Sequence, residues 1–455
     1  MVKNKMNTDP KKRKVGWRHV VLLLLSIGAV AFIYSWPSSE GQERASGGAR
    51  AYHLGMTYLN RGERTKAIEV FQKALELDPN SPMLYFGLGC VYTTQGRYDK
   101  ALEVFRKTIA LRPDFVEAHY NLGRILGQQG EYTEAVRAYE KAVAIKPELP
   151  EVYYNLGVIY KEGAEYAQAI VEYKKAIQLD PDYRDAYYEL GNAYAKQRRY
   201  AEAIQAYERT LAIDPEHVDS HYGLGMVYMK QGRTEEGERE LEIFKGLRAY
   251  GREIEQMEAV LQLNPGDPSV HGELGVIHAR HEKFEPAAKA FQKAIELDTR
   301  SADAHHNLGL IYAQQGRYEE AKMAFQKAIK LDARSEDAHH NLGLIYAQQS
   351  RYEEAKTAFQ KAIGLEPDFA PTHVELGALY QQQGLLDKAI VEYQKAIELD
   401  PHLLKAHNNL GVIYATLGRL DEAVKEWKTA LAIDPADPES RKNLEEAEGI
   451  MRKGP

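Results

Sequence analysis

The sequence predicts an all-α fold: a right-handed α-solenoid of about eleven helix–turn–helix repeats, preceded by one N-terminal transmembrane helix. The main observation is a period. Leu-Gly pairs recur every 34 residues from Leu54-Gly55 to Leu410-Gly411, with one longer spacing of 50 between Leu224 and Leu274. In addition, the apolar residues inside each repeat follow a helical period, and an uncharged run from Val20 to Trp36 precedes the first repeat. A period of this length indicates repeats that bury their apolar faces only by stacking on their neighbours.

Several further positions recur together with the Leu-Gly pair. A ring stands three residues before Leu, Tyr stands three after Gly, and a small Ala, a second ring and a closing Pro follow. In the repeat around Leu308 the matching residues are His305, Leu308, Gly309, Tyr312, Gly316, Ala321, Phe325 and Ala328. The pattern resembles the tetratricopeptide repeat, and the resemblance covers about six-sevenths of the chain. It implies a helix-turn-helix unit in every repeat.

The spacing that recurs from repeat to repeat also suggests a role for each position. Gly and Ala are expected to let two helices approach closely, and the large rings to fill the space between repeats. Pro marks the place where one helix stops, because it lacks an N–H and clashes with the preceding turn. Asp directly before Pro is expected to cap the helix that follows. The residues concerned are Asp78, Asp180, Asp214, Asp400 and Asp434.

The sixth repeat departs from the pattern and divides the array. It has Gly237 where Ala is expected and Leu241 where a ring is expected. An amphipathic stretch then continues from Glu235 to Leu263, either as one helix about 43 Å long or broken at Gly246 and Gly251. It is interpreted as a tolerated insertion or as a hinge. The predicted boundaries are repeats 1–6 at 48–251, a helical insertion at 252–267, repeats 7–11 at 268–437, and a capping helix at 438–455.

The capping helix is expected to begin with Asp437 as N-cap and Pro438 in the first turn. Its apolar side would cover the last repeat, because terminal repeats need a polar outer face. The residues expected to provide that cover are Leu444, Ala447, Ile450 and Met451.

The amino terminus has a different composition from the repeats. Residues 1–18 carry a net charge of +6, which leaves −13 for the remainder of a chain of net charge −7. Residues 19–36 are predicted to be a transmembrane signal anchor with the basic segment in the cytoplasm, followed by a linker at 37–47. This places the repeats in the periplasm of a bacterium, on the inner membrane. The alternative is secretion to the periplasm after cleavage near Ala29-Val30-Ala31.

Composition and motifs argue against several classes of function. The acidic array is unsuited to nucleic acid, and Pro10 to Val15, which resembles a nuclear localisation signal, is better explained as the flank of a membrane segment. The single cysteine, Cys90, cannot form an internal disulfide. No phosphate loop or nucleophile elbow occurs, so no catalytic residue, cofactor, metal or small-molecule substrate is predicted. Histidines recur three residues before Leu, where packing in a ring layer is the simpler explanation than metal binding.

The concave groove remains as the candidate site. The residue before each Leu-Gly pair is expected to point into it, and this position is often Asn, whose amide can bind a peptide main chain as donor and acceptor. A second row of neutral polar residues lies six positions after Leu. The predicted binding residues are Asn121, Asn155, Asn307, Asn341, Asn409, Gln128, Gln314, Gln348 and Gln382. The row of Asn resembles the asparagine ladder in the repeat array of O-linked N-acetylglucosamine transferases, although the transferase domain is absent here.

Two functions follow from these expectations. The first is a membrane-tethered scaffold that holds partner proteins or extended peptide segments in the groove. The second is a non-catalytic subunit or adaptor of an enzyme complex, for example of a glycosyltransferase or of envelope-assembly machinery. Many weakly bound clients would indicate the scaffold, and one stoichiometric enzyme would indicate the subunit.

Overall fold

The computed structural model describes residues 42–453, which form 23 helices and no strand. No helix in this part of the chain is long and apolar enough to cross a membrane. The segments predicted at 1–18 and 19–36 lie outside the described residues. The chain divides between Lys245 and Gly246 into two compact bodies, called here the N-terminal body and the C-terminal body.

In the N-terminal body, first and second helices of the repeats alternate. The first helices are α1 (Gln42–Asn60), α3 (Pro82–Thr94), α5 (Val116–Gln129), α7 (Pro150–Glu162), α9 (Arg184–Lys196) and α11 (Val218–Lys230). The second helices are α2 (Arg64–Leu77), α4 (Tyr98–Leu111), α6 (Tyr132–Ile145), α8 (Tyr166–Leu179) and α10 (Tyr200–Ile213). Helix α1 begins at Gln42, inside the stretch that the sequence assigns to a linker.

Helix α12 (Thr234–Leu263) contains the division between the two bodies. It is a single helix of 30 residues, so Gly246 and Gly251 do not break it. Of its residues only Gly237 is fully buried. The helical insertion is therefore continuous with the second helix of the sixth repeat, while the hinge remains a prediction.

The C-terminal body continues the alternation. Its first helices are α13 (Pro268–Arg280), α15 (Ala302–Gln314), α17 (Glu336–Gln348), α19 (Ala370–Gln382) and α21 (Leu404–Thr416). Its second helices are α14 (Phe284–Leu297), α16 (Tyr318–Leu331), α18 (Tyr352–Leu365), α20 (Leu386–Leu399) and α22 (Leu420–Ile433). The last helix is α23 (Pro438–Lys453).

The core of each repeat except the sixth is a ring that lies over a glycine; in the sixth, Leu241 lies over Gly225. In the repeat of α5 and α6, a Cβ added to Gly123 would lie 2.8 Å from Tyr139 Cε1, and in that of α15 and α16 a Cβ on Gly309 would lie 2.7 Å from Phe325 Cε1. The glycine of the Leu-Gly pair therefore makes room for the ring of the second helix of the same repeat. The same rings also reach the next repeat, since a Cβ on Gly87 would lie 2.5 Å from Phe71 Cζ and one on Gly223 would lie 2.7 Å from Tyr207 Cζ. The rings therefore lie between repeats, as expected, and also pack inside their own repeat.

The turn between repeats shows a second correction. Asp180, Asp214 and Asp434 end the preceding second helix as C-caps instead of capping the next helix. Their carboxylates accept hydrogen bonds from the backbone N–H two residues later, at 3.1, 3.2 and 2.9 Å. The physical reason is spacing, because Pro and one further residue separate each Asp from the N-cap of the following helix.

Helix α23 closes the C-terminal body as predicted at its start, where Asp437 accepts a hydrogen bond of 2.7 Å from the N–H of Ser440. Ala447 is buried and Leu444 is half-buried. Ile450 and Met451, however, are exposed, so they do not cover the last repeat. The expected cover is therefore provided by Leu444 and Ala447 and not by the last turn.

Candidate partner-binding groove

The packing of the helices identifies the inner face of each body. First helices of successive repeats contact one another, for example α7 with α9 in the N-terminal body and α15 with α17 in the C-terminal body. Second helices of successive repeats make no comparable contacts among the described residues. Each stack therefore curves towards its first helices, and these line a groove, which agrees with the face predicted from the sequence.

The five predicted asparagines lie on these first helices and are half-buried. Their side chains are therefore only partly exposed. The cause is local packing, since each Asn stands next to the Leu-Gly pair that contacts the second helix. Each amide keeps a limited exposed area on the groove side.

The asparagines differ in their hydrogen bonds. Asn121 donates to the carbonyl of Glu117 at 2.8 Å and accepts from Arg124 at 3.2 Å. Asn409 donates to the hydroxyl of Tyr393 at 3.1 Å. These two amides are engaged inside the protein, which the row of Asn by itself did not indicate.

Asn155, Asn307 and Asn341 have amides that are less engaged. Asn155 makes a single long contact of 3.5 Å with the Tyr120 hydroxyl. Within residues 42–453, Asn307 and Asn341 have no hydrogen-bond partner. Because they occupy the same position on the consecutive helices α15 and α17, the C-terminal body presents two adjacent amides, each with a donor and an acceptor.

The predicted glutamines do not form one row. Gln314 and Gln348 are exposed at the ends of α15 and α17. Gln382 donates to the hydroxyl of Tyr352 at 2.7 Å, at the start of the preceding second helix. Gln128 is half-buried, and its Oε1 is buried without a hydrogen-bond partner in the described part of the chain. The four side chains are thus in different environments.

Rings stand beside the asparagines, one position earlier in the chain. Tyr120 packs on Tyr139 with centroids 6.1 Å apart, and Tyr154 packs on Tyr173 at 5.9 Å. Burial raises the pKa of Tyr120, so its hydroxyl stays protonated beside Asn155. These pairs fix the first helix on the second and hold the groove residues in place.

The recurring histidines have a role that the sequence analysis missed. His119, His373 and His407 each place Nε2 near the carbonyl of the Pro six residues earlier, at 2.8, 3.1 and 3.1 Å. In His407, Nδ1 also lies 2.6 Å from a carboxylate oxygen of Glu426. Both partners are acceptors, so both ring nitrogens donate.

This bonding pattern has an electrostatic consequence and a recognisable signal. The hydrogen bond to Glu426 raises the pKa of His407. The signal in the sequence is the Pro six residues before each of these three His, joined in His373 and His407 by a Glu nineteen residues after it. His373 and His407 therefore tie the turn between repeats to the second helix, and His119 contacts the turn alone, so hydrogen bonding adds to the packing role expected from the sequence. No group of three or more His, Cys, Asp or Glu suited to a metal ion occurs in the described residues.

Comparison with known families accounts for most of the array. A family model described as TPR repeat matches residues 55–96, 89–130, 123–163, 159–198, 280–316, 309–350 and 382–418, which is more than half of the chain. Models described as tetratricopeptide repeat match 185–217, 206–239, 336–369 and 404–437. The chain is a tetratricopeptide-repeat protein. Such arrays are suited to protein–protein interaction and are typically non-catalytic scaffolds.

Solved structures of other tetratricopeptide-repeat proteins are similar to parts of this chain. MamA is 28% identical, with 36% of this chain and 97% of MamA covered and a TM-score of 0.36. YrrB, described as a TPR protein with an unusual peptide-binding site, is 24% identical, with 43% and 98% covered and a TM-score of 0.36. PilF of Pseudomonas aeruginosa is 24% identical, with 50% and 96% covered and a TM-score of 0.41. No curated protein matches the chain.

Proposed function

We propose that this tetratricopeptide-repeat protein is a membrane-tethered scaffold that holds extended segments of partner proteins along its first helices. The observation that carries the proposal is the pair of half-buried amides at Asn307 and Asn341, which have no hydrogen-bond partner in the described residues. Neither amide is among the buried, unpaired side-chain atoms of the described residues, so both are open to a ligand, and a bound main chain can pair them without breaking a bond inside the protein. An extended backbone offers donors and acceptors regardless of its side chains.

The remaining asparagines contribute differently in this proposal. Asn155 can exchange its long contact for a better one, whereas Asn121 and Asn409 would have to give up existing bonds. The resemblance to the asparagine ladder of O-linked N-acetylglucosamine transferases belongs to the proposal too. It suggests main-chain recognition that is tolerant of partner sequence.

The tether is the second part of the proposal. A net charge of +6 over residues 1–18 and the uncharged run from Val20 to Trp36 support a single span with the repeats in the periplasm of a bacterium. A reporter that is active only in the periplasm, fused after Pro455, should be active. Activity of a cytoplasm-specific reporter at the same position would contradict the orientation, and a shortened mature chain would favour the cleaved alternative.

The groove is tested by replacing Asn307 and Asn341 with Ala in the full chain. Each lost hydrogen bond is worth about 0.5–1.5 kcal/mol net, so the double variant should bind partners about 5- to 150-fold more weakly. The measurement is partner recovery after cross-linking in native membranes, followed by mass spectrometry, beside thermal melting. The same recovery also separates a scaffold with many clients from a subunit of one enzyme complex.

The matched control lies on the second helices of the same two repeats. Lys327 and Lys361 are exposed there, outside the groove. Their double replacement by Ala should leave recovery unchanged. Equal recovery from the asparagine variant and the lysine control would leave the asparagines as solvated surface and refute the groove.

A further inference from the structure

The C-terminal body contains a cavity of about 780 Å³ on the groove side of its first helices. Helices α12, α13, α14 and α15 form its walls, and Asn307 lies at its edge. It therefore adjoins one of the two amides that the proposed function uses.

Two small residues at neighbouring ring positions create this cavity. One ring position, two residues before Leu, holds Tyr120, Tyr154 or His340 in other repeats but Gly272 here. The other ring position, 29 residues later, is the N-cap of the next first helix and holds Ser301 here.

In several other repeats both positions hold rings that pack on each other. The centroids of Tyr154 and Tyr183 are 5.2 Å apart, and those of His340 and Phe369 are 5.4 Å apart. A Cβ built on Gly272 would meet nothing within 4 Å. The cavity is thus the space that a ring pair occupies in other repeats.

The cavity has apolar walls and an acidic rim. Met257, Ile277 and Phe291 contribute to the walls. The charged lining consists of four carboxylates and one guanidinium, that of Arg280, which is paired with Glu253 at 3.1 Å. Glu273 and Asp303 are exposed at the rim and have no ion-pair partner in the described chain. The lining is therefore net negative above an apolar floor.

We propose that this cavity receives a lysine or arginine side chain of an extended partner segment whose main chain is bound at Asn307. The aliphatic stem of such a side chain suits the apolar walls, and its cationic end reaches the carboxylates at the rim. The inference rests on the proposed function, because it assigns a side-chain preference to a segment already held by its backbone. Charge complementarity selects the basic partner over an acidic or neutral one.

The test uses purified full-length chain and fluorescent synthetic peptides of about nine residues, which span roughly 30 Å when extended. The peptides alternate Ser and Ala and carry one central Lys, Arg, norleucine or Glu. Fluorescence anisotropy at low salt should show the Lys and Arg peptides binding at least about tenfold more tightly than the norleucine and Glu peptides, with the difference shrinking as salt rises. Equal affinity of all four peptides overturns the proposal.

Gly272→Phe fills the cavity with the ring that other repeats carry. It should reduce the preference for Lys over norleucine to about one, while thermal melting stays unchanged or improves, because Gly is a poor helix residue. Gly364→Phe is the control, since Gly364 is exposed on α18 and a Cβ there also meets nothing within 4 Å. A Lys preference that survives in a folded Gly272→Phe variant overturns the assignment of the cavity.

The rim carboxylates provide a graded version of the test. Glu273→Gln and Asp303→Asn should each lower the affinity for the Lys peptide about two- to fivefold, as expected for exposed ion pairs, without changing the affinity for the norleucine peptide. Lys binding that is unchanged in the double variant would contradict the charge assignment.

Two further outcomes separate the possible sources of error. Loss of norleucine-peptide binding in the double variant of Asn307 and Asn341 supports main-chain binding in the groove. The ratio of the Lys-peptide affinity to the norleucine-peptide affinity tests only the side-chain preference of the cavity. The inference can therefore fail while the proposed function stands. If a chain lacking residues 1–18 prefers the Lys peptide and the full chain does not, the basic segment of the protein itself occupies the cavity, and the partner assignment is wrong.

Discussion

The repeats at 302–335 and 336–369 differ at few positions, and the structure shows which differences matter. Phe325 and Phe359 are both 1% exposed, and Arg317 and Arg351 stack on Tyr312 and Tyr346 at 4.1 and 4.5 Å. Identical residues therefore pack alike in both repeats.

The differences appear where the two repeats meet their next neighbour. Ser335 accepts a hydrogen bond of 3.2 Å from the N–H of Ala338 and so caps α17. Phe369, at the matching position, makes no such cap but packs its ring on His340. This position therefore holds either a side chain that caps the next helix or a ring that fills space. The cavity forms where Ser301 is the capping residue and Gly272 replaces the ring on the opposite side.

The largest effect is expected from removing the core rings. Phe325→Ala and Phe359→Ala should each cost about 3–5 kcal/mol, and the two costs should be similar because the rings have the same surroundings. Hydrogen exchange should show the loss concentrated in the altered repeat and its neighbours, since a stacked array is coupled mainly through adjacent repeats. Cooperative unfolding of the whole array after one change would contradict this.

A smaller effect is expected from the glycines beneath those rings. A Cβ at Gly309 would lie 2.7 Å from Phe325, and one at Gly343 would lie 2.5 Å from Phe359. Gly309→Ala and Gly343→Ala should therefore destabilise by about 1–3 kcal/mol through overpacking, measured by chemical denaturation.

Gly364→Ala is the control for this overpacking. The exposed helix position has open space, so it should gain about 0.5–1 kcal/mol. A loss of stability at Gly364, or no loss at Gly309, would mean that the ring contacts do not set the requirement for glycine.

The sequence was sufficient for the repeats but not for their hydrogen bonds. The period of Leu-Gly pairs gave the number of helix pairs and the inner face, because packing recurs with the period. The row of Asn alone did not separate Asn121 from Asn341; the difference lies three residues later, where Arg124 bonds Asn121 and Leu344 follows Asn341. The role of His407 depends on Pro401 and Glu426, which come together when the two helices of a repeat pack. The cavity depends on Gly272 and Ser301, which become neighbours only when successive repeats stack.

The turn inside each repeat provides the next test of the comparison. Gly316 has φ of 72° and Ser350 has φ of 59°, both left-handed. A left-handed conformation costs an L-residue about 1–2 kcal/mol of folding free energy, which glycine avoids. Glycine also loses more conformational entropy on folding, and this offsets part of the advantage. Ser350→Gly should therefore stabilise by about 0.5–1 kcal/mol and Gly316→Ser should destabilise by a similar amount. Thermal melting of both variants checks the pair, and shifts of the same sign would contradict the argument.

The smallest effect concerns pH and again compares the two repeats. Burial lowers the pKa of both His306 and His340 from the ordinary value of about 6.5, and nearby carboxylates of Asp337 and, for His340, Glu375 oppose the shift. A histidine with a lowered pKa in the folded state binds fewer protons than in the unfolded state. Its contribution to stability is therefore present above pH of about 6.5 and is lost as pH falls through the folded pKa.

His306→Tyr and His340→Tyr should remove this loss, because Tyr120 and Tyr154 already occupy the same position in other repeats. Hydrogen exchange of α16 and α18 should then depend less on pH between about 7 and 5 than in the unchanged chain. His407 is the internal contrast: its pKa is raised by Glu426, so its contribution is present below pH of about 6.5 and is lost as pH rises through the folded pKa. If the last repeat and the two matched repeats respond to acid in the same direction, burial and pairing do not control these histidines.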